Sequence, residues 1–406
     1  MSSNSWVKMP AATRALRGKA AIVGVGETDY HADYQAARAK TPAYEGHTSE
    51  DLAITAFERA LADSGLNRGD IDGLSTSFLY GGPPVNEMAV MLGIEPRHSF
   101  AGGGIMAGTI PTAVAAIAEG KCDTIALVYA AATRSIGRKF GGNVDEKAAE
   151  MPSSYYYHHP WGWSSQAAHW AFIWQYYQAT YGVTEEDMAA VAILMRDNAI
   201  RTPHAIMRKP LTVEAYLASR YVVRPLHLFD LCLVNDGGVC LILQRADKAA
   251  DRPHTPVAVG GWGESYVKQD KMDTLVRKRL RPQFEEAGRQ ALDMAGLALS
   301  DVGHFECYDA STMHLINHVE GHGFAAPGEG IAFCKGGGMA IGGTLPTNTA
   351  GGMLSGSYMH GWNHVAEITR QLRHEAGERQ VEGVQVSMFS LAQTDQVHPL
   401  VFTRGA

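Results

Sequence analysis

The stretch ALADSGLNRGDIDGL at residues 60–74 recurs without a gap as ALDMAGLALSDVGHF at 291–305. Ala60/Ala291, Leu61/Leu292, Gly65/Gly296, Leu66/Leu297 and Asp70/Asp301 coincide. Each copy reads as the last turns of a helix, closed by a glycine and followed by a strand. After each comes a glycine-rich loop, a helical stretch and an apolar strand, over Gly102 to Tyr129 and Gly351 to Ser390. A unit repeated in this way predicts an internally duplicated α/β protein, and 406 residues are enough for two fused halves with a shared core. The boundaries expected are 1–250 and 251–406. The first half opens with a buried strand, AAIVGVG at 20–26, and a helix that starts at Thr48 with Asp51 as its capping partner.

Composition narrows the function. The formal net charge is −7 and the chain has no basic stripe, which argues against nucleic acid. No apolar run reaches the roughly 20 residues that span a bilayer, and the first residues lack a signal-peptide hydrophobic region, so a cytoplasmic protein is expected. The five cysteines are scattered, with no C-x-x-C spacing, and read as reduced thiols. Gly24-x-Gly26 lacks the third glycine of a dinucleotide fingerprint, and no phosphate-binding G-x-x-x-x-G-K-[ST] occurs. His314, His318 and His322 would share one helix face if the helix ran through Gly321, but no acidic or cysteine cluster completes a metal site. Ser355 lies between glycines without the G-x-S-x-G spacing of a hydrolase elbow and reads as a turn serine. Residues 141–230 form an insertion rich in aromatics, including SYYYHHPWGW and the segment that begins RTPHAIM. It reads either as a cover over an apolar ligand or as a packed sub-core.

Four phrases then carry a resemblance: IVGVGETDY at 22–30, YGVTEEDMAAVAILMRDNA at 181–199, NDGGVCLIL at 235–243 and LPTNTAGGMLSGSYMHG at 345–361. On these the chain resembles the thiolase superfamily, in particular its sterol-carrier-protein type. The resemblance implies two βαβ halves in a five-layered αβαβα arrangement, with the active loops meeting between the halves. Thiolases carry a nucleophilic cysteine before a helix N-terminus. The corresponding place here is Gly103, so the loop with Gly104 can offer only backbone N–H groups to an oxyanion. The Asn-Glu-Ala-Phe or His-Asp-x-Phe motif becomes Tyr308-Asp309-Ala310-Ser311, and the Gly-His-Pro-x-Gly loop becomes Ser357-Tyr358-Met359-His360-Gly361. The last loop, normally Cys-x-Gly-Gly, reads Ser390-Leu391-Ala392-Gln393-Thr394-Asp395.

The tyrosines at 308 and 358 are similar to those of steroid side-chain-cleaving aldolases, which work with a partner bearing an OB fold and a zinc ribbon. What the resemblance implies is retro-aldol cleavage of a β-hydroxyacyl-CoA, with coenzyme A as part of the substrate and no separate cofactor, by a homodimer within a hetero-complex. Such a reaction needs a base at the β-hydroxyl, donors at the thioester oxygen and an acid for the α carbon. Tyr308 is expected as base, Tyr358 as donor or relay, and His360 and Asp309 as polar partners that favour a phenolate; a phenol near pKa 10 otherwise stays protonated. Gly103, Gly104, Asn363 and His364 are expected to contact substrate, although His364 also suits a plain helix-face role. The loop before Asp236 grips CoA in thiolases, yet Cys232 and Leu233 there read equally as core. A thiolase-like C-acyltransferase and a non-catalytic acyl-CoA or lipid carrier are the rival functions.

Overall fold

The computed structural model describes residues 9–39, 46–102, 106–137, 165–266, 281–393 and 396–405. The first half contributes β1 (Ala20–Glu27), α1 (Ser49–Ser64), β2 (Gly73–Phe78), α2 (Val85–Leu92), β3 (His98–Ala101), α3 (Met106–Ala118) and β4 (Thr124–Ala132). Two helices of the insertion follow, α4 (Gln166–Tyr181) and α5 (Glu185–Ile200), and then β5 (Asp236–Arg245). The second half contributes β6 (Val257–Trp262), α6 (Arg281–Ala295), β7 (His304–Cys307), α7 (Thr312–His322), α8 (Trp362–Arg373), β8 (Val386–Ala392) and β9 (Gln396–Arg404).

The strands lie side by side in the order β7-β8-β9-β6-β1-β5-β4-β2-β3. The sequence about the β1/β6 seam is palindromic in role. On one side β1, β5 and β4 pair antiparallel and β4, β2 and β3 parallel; on the other, β6, β9 and β8 pair antiparallel and β8 and β7 parallel. A parallel bridge from Phe305 to Thr347 stands where β3 stands beside β2. The seam itself is short: only Ala21↔Ala258 and Ile22↔Val257 face each other across it.

Strand β4 shows how the layers arise. Its apolar run is buried on both faces, as helix-covered strands are. Ile125, Leu127 and Tyr129 point into a central core shared with Ile110 and Val114 of α3 and with Trp362, Val365 and Ile368 of α8. Ala126, Val128 and Ala130 point the other way, onto Leu52, Ala56 and Phe57 of α1. On the far side α6 and α7 cover the second half-sheet through Ala291, Leu292, Met313 and Ile316. The five αβαβα layers are the result.

The sequence repeat has a packing cause. A Cβ on Gly24 or Gly26 would overlap the carbonyl oxygens of Ala60 and Ala56 on α1, and one on Gly261 or Gly263 those of Ala291 and Ala287 on α6. Glycine on the strand and alanine on the helix let backbone approach backbone in both halves. Thr48 caps α1 by accepting from Asp51 N, and Gly65 closes it in the left-handed conformation, both as the sequence indicates. No helix among the described residues is long and apolar enough to cross a membrane. The aromatic run 154–163 lies outside the described residues. Of the insertion that is described, α4 buries Trp174 and Tyr177 in the second half's outer core, which favours the sub-core reading there.

Candidate active site

Tyr308 follows β7 directly and Tyr358 lies in the loop that leads into α8. Their hydroxyls are 2.8 Å apart, and both side chains are buried. Main-chain ties fix each. Tyr308 N donates to Ser390 O at the end of β8, and Asn348 clamps the preceding residue by accepting from Cys307 N (2.7 Å) and donating to Cys307 O (3.0 Å). Tyr358 N donates to the Asn235 side chain at 2.8 Å, and Asn235 donates to Ser357 Oγ at 3.1 Å. Elements from both halves therefore hold the pair.

Asp309 reaches Tyr308 as a nearby negative charge that raises the phenol, the opposite of favouring a phenolate. Its Oδ1 accepts from Met353 N at 2.8 Å, and a Cβ on Gly352, which sits at φ +55°, would overlap its Oδ2. The expected catalytic aspartate instead fastens the 352–356 turn to the Tyr308 loop. His364 departs from expectation as well. It is 1% exposed, with Nδ1 2.5 Å from Glu306 Oε2 and Nε2 3.3 Å from Asp309 Oδ1, so both ring nitrogens face carboxylates. Although burial alone would lower it, the two carboxylates raise its pKa to about 9 and make it an imidazolium at neutral pH. Burial pushes Glu306 up, but hydrogen bonds from His304 and His364 outweigh this and bring it below its usual range; burial dominates at Asp309 and raises it. Glu306 flanks Tyr308 two residues before it and Asp309 one after, so His364 positions the loop.

Asn363 lines a narrow cavity with Glu27, Tyr30, His204 and Arg370, which does not include either phenol. His360 fits its expected place better. Held at φ +53°, its ring lies 5.7 Å from the Tyr308 ring and 6.0 Å from that of Tyr358. Gly103 and Gly104 lie outside the described residues. Gly102, just before them, is followed after the gap by α3, whose first described residue is Met106.

The expectation of a resting phenolate is corrected. Burial raises the pKa of both tyrosines, and among the described residues no cation stands beside them to reverse it. Their mutual hydrogen bond joins the two, and either oxygen can be its donor. Nor is a thiolate at hand. Cys307 is fully buried and its thiol raised; Cys232, half-buried, is pushed up to about 12, mainly by burial. Cys232 does border the tyrosines, contributing to the charge environment of each.

Several neighbours were not singled out in the sequence. Tyr129, within β4, stacks on Trp362 at 5.8 Å and 19°, and its buried hydroxyl has no hydrogen-bond partner among the described residues. Asn235 and Asn348 act through the main chain; their position beside matched motifs was the available signal. Helix α7 runs unbroken through Gly321, so His314, His318 and His322 do share a face, their rings stacked at 4.8 and 6.5 Å. Ser390 Oγ joins His318 Nδ1 (3.0 Å) to His322 Nε2 (2.7 Å). No group of three or more His, Cys, Asp or Glu is placed to hold a metal among the described residues.

With this geometry in view, the similarities are specific. Residues 268–393 match the thiolase C-terminal domain-like family. A steroid side-chain-cleaving aldolase of Thermomonospora curvata is 33% identical over 370 residues, covering 88% of this chain and 91% of that protein. A 17-hydroxy-3-oxo-4-pregnene-20-carboxyl-CoA lyase of Mycobacterium tuberculosis is 33% identical over 373 residues, covering 88% and 92%. The solved Ltp2-ChsH2(DUF35) aldolase superposes with a TM-score of 0.82 at 31% identity, covering 96% of this chain and 98% of the other. A duplicated αβαβα core whose catalytic loops hold two facing tyrosines, together with relatives of this likeness and coverage, shows that the chain belongs to the thiolase superfamily, among the steroid side-chain-cleaving aldolases.

Proposed function

We propose that this protein cleaves the bond between the α and β carbons of a β-hydroxyacyl-CoA, releasing a ketone and a shortened acyl-CoA. The observation that carries the reading is the 2.8 Å contact between the Tyr308 and Tyr358 hydroxyls, in a site with no activated thiol among the described residues. In a retro-aldol reaction the β-hydroxyl loses a proton and the α carbon gains one, so the net proton count is zero. Two phenols in contact can pass that proton along: one oxygen accepts from the substrate hydroxyl as it hands its own proton to the other, which delivers to the α carbon of the thioester enolate. No resting phenolate is required. In this reading Tyr308 accepts the proton of the β-hydroxyl and Tyr358 delivers to the α carbon.

The relatives' names indicate a substrate of one kind, a steroid with a CoA-linked side chain. A 17-hydroxy-pregnene-20-carboxyl-CoA is a tertiary alcohol at its β carbon. That carbon bears no hydrogen, cannot be oxidised to a ketone, and cannot enter thiolytic cleavage. A thiolase scaffold facing such a substrate has no use for its cysteines and needs only proton transfer and enolate stabilisation. Cleavage between C17 and C20 yields a 17-ketosteroid and propionyl-CoA. The test is to incubate the protein, with and without a DUF35-type partner, with this thioester. Equal amounts of the two products and no acyl-protein adduct in the mass spectrum are expected; an acyl-cysteine, or an intact substrate with partner present, overturns the reading.

We further propose a homodimer that works with an OB-fold, zinc-ribbon partner in the cytoplasm. Support for the partner is the composition of the similar DUF35-containing aldolase. Support for the dimer is β3, which ends the sheet, next to Val90 and Met91 of α2 at 80% and 49% exposure. An unpaired edge beside exposed apolar side chains is a pairing surface. Light scattering of the pure chain should give twice its mass, and Val90→Lys should shift it toward the monomer; a monomeric wild type at micromolar concentration overturns the dimer.

A further inference from the structure

His314 has no role in the proton path above, yet its surroundings call for one. It is 3% exposed, and neither ring nitrogen has a hydrogen-bond partner among the described residues. The Ala392 carbonyl, at the end of β8, lies close enough to the ring to favour its protonated form, against the larger effect of burial. Trp170 of α4 stacks on one face at 4.0 Å, His318 on the other at 4.8 Å, and the ring of Tyr308 stands edge-on at 5.6 Å. His314 N is tied to Ser311 Oγ at 3.1 Å in the cap of α7, so the side chain leaves the first turn of that helix beside the Tyr308 loop. Two unpartnered nitrogens in a buried ring are costly to keep, and such groups call for an explanation.

Burial lowers the pKa of His314 to about 3, with His169 nearby adding to the effect, so the ring is neutral at any working pH. A neutral imidazole still carries one N–H. That group can donate to a growing oxyanion without delivering a proton to it, which would end the reaction early. The two phenols serve the hydroxyl and the α carbon, and the thioester oxygen takes a donor beside the backbone N–H groups expected of the Gly103 loop.

We propose that His314 is a catalytic residue whose N–H donates to the thioester carbonyl oxygen of the bound acyl-CoA, stabilising the enolate. The proposal rests on the retro-aldol reading for its rate effect but not for its binding effect, which keeps the two separable. His314→Phe preserves the stack between Trp170 and His318 and removes both nitrogens. It should lower kcat/KM on the order of a hundredfold, weaken propionyl-CoA binding in calorimetry about fivefold, and leave Tm unchanged or raised. His314→Asn and His314→Gln each restore one donor position, and one of them should recover at least tenfold over the other at equal Tm. Wild-type kcat/KM and propionyl-CoA affinity in His314→Phe overturn the proposal. So does equal loss in the Asn and Gln variants, which also decide the matter if the phenylalanine variant does not fold. Should the wild type lack lyase activity altogether, the retro-aldol reading falls, and the propionyl-CoA affinities alone decide whether His314 holds the thioester.

Discussion

Tyr308→Phe should reduce cleavage of the β-hydroxyacyl-CoA by at least about a hundredfold, the usual worth of a general acid–base group. The substitution deletes one hydroxyl from a ring that is 5% exposed and leaves nearly the same volume, so packing is kept. What is lost is the oxygen 2.8 Å from Tyr358 and with it the continuity of the proton path. Tyr358→Phe breaks the same path from the other end and should cost a similar factor, because a relay fails wherever it is cut. The double variant should then be little worse than either single one, since residues that act as a unit are not additive. Steady-state kinetics with the partner present, beside melting curves, measures this. Full activity in Tyr308→Phe would remove it from the reaction and turn attention to His360, whose ring lies within 6.0 Å of both tyrosine rings.

His364→Leu should destabilise the protein by about 3–5 kcal/mol, the range for removing one partner of a buried ion pair. Here the loss leaves two carboxylates, Glu306 and Asp309, buried without their cation. In the wild type the imidazolium has a pKa raised from 6.5 to about 9. Its contribution is therefore complete below about pH 6.5 and disappears as the pH rises through about 9. Wild-type stability should fall over that window and His364→Leu should not share the fall. Denaturant titrations at pH 6, 7.5 and 9 test this; parallel curves for the two proteins would show that His364 is not the group involved. Because His364 carries the residues on both sides of Tyr308, turnover should weaken over the same window.

The duplication was legible because its cause is local. Alanines at matching helix positions survive in the sequence as a repeat, and the glycines that meet their carbonyls in each half show only in the structure. The tyrosine pair was legible through motif position. The roles of the polar residues around it were not, because a sequence places Asp309 and His364 near the site without saying which way they face. Asp309 points at a turn and His364 at two carboxylates, and Asn363 lines a different cavity. The expectation of a phenolate failed for a related reason: nearness in sequence to polar residues is not nearness in space, and burial governs an ionisation when no charge intervenes. Tyr129 lies within an apolar strand, where an aromatic is ordinary core. Its unpartnered hydroxyl shows only when β4 is set against α8 from the other half.

The four glycines that sit against helix backbone carry a consequence for the site. Gly24, Gly26, Gly261 and Gly263 keep two helices at backbone distance from the sheet. A single methyl group there would lift a helix from its sheet and move the loops at the strand ends by a fraction of an ångström or more, enough to separate the hydroxyls that must touch. A loop can accept a new side chain at its tip more readily than the spacing beneath it can accept a methyl group. The smallest residues of the chain thus set the distances on which its reactive loops depend.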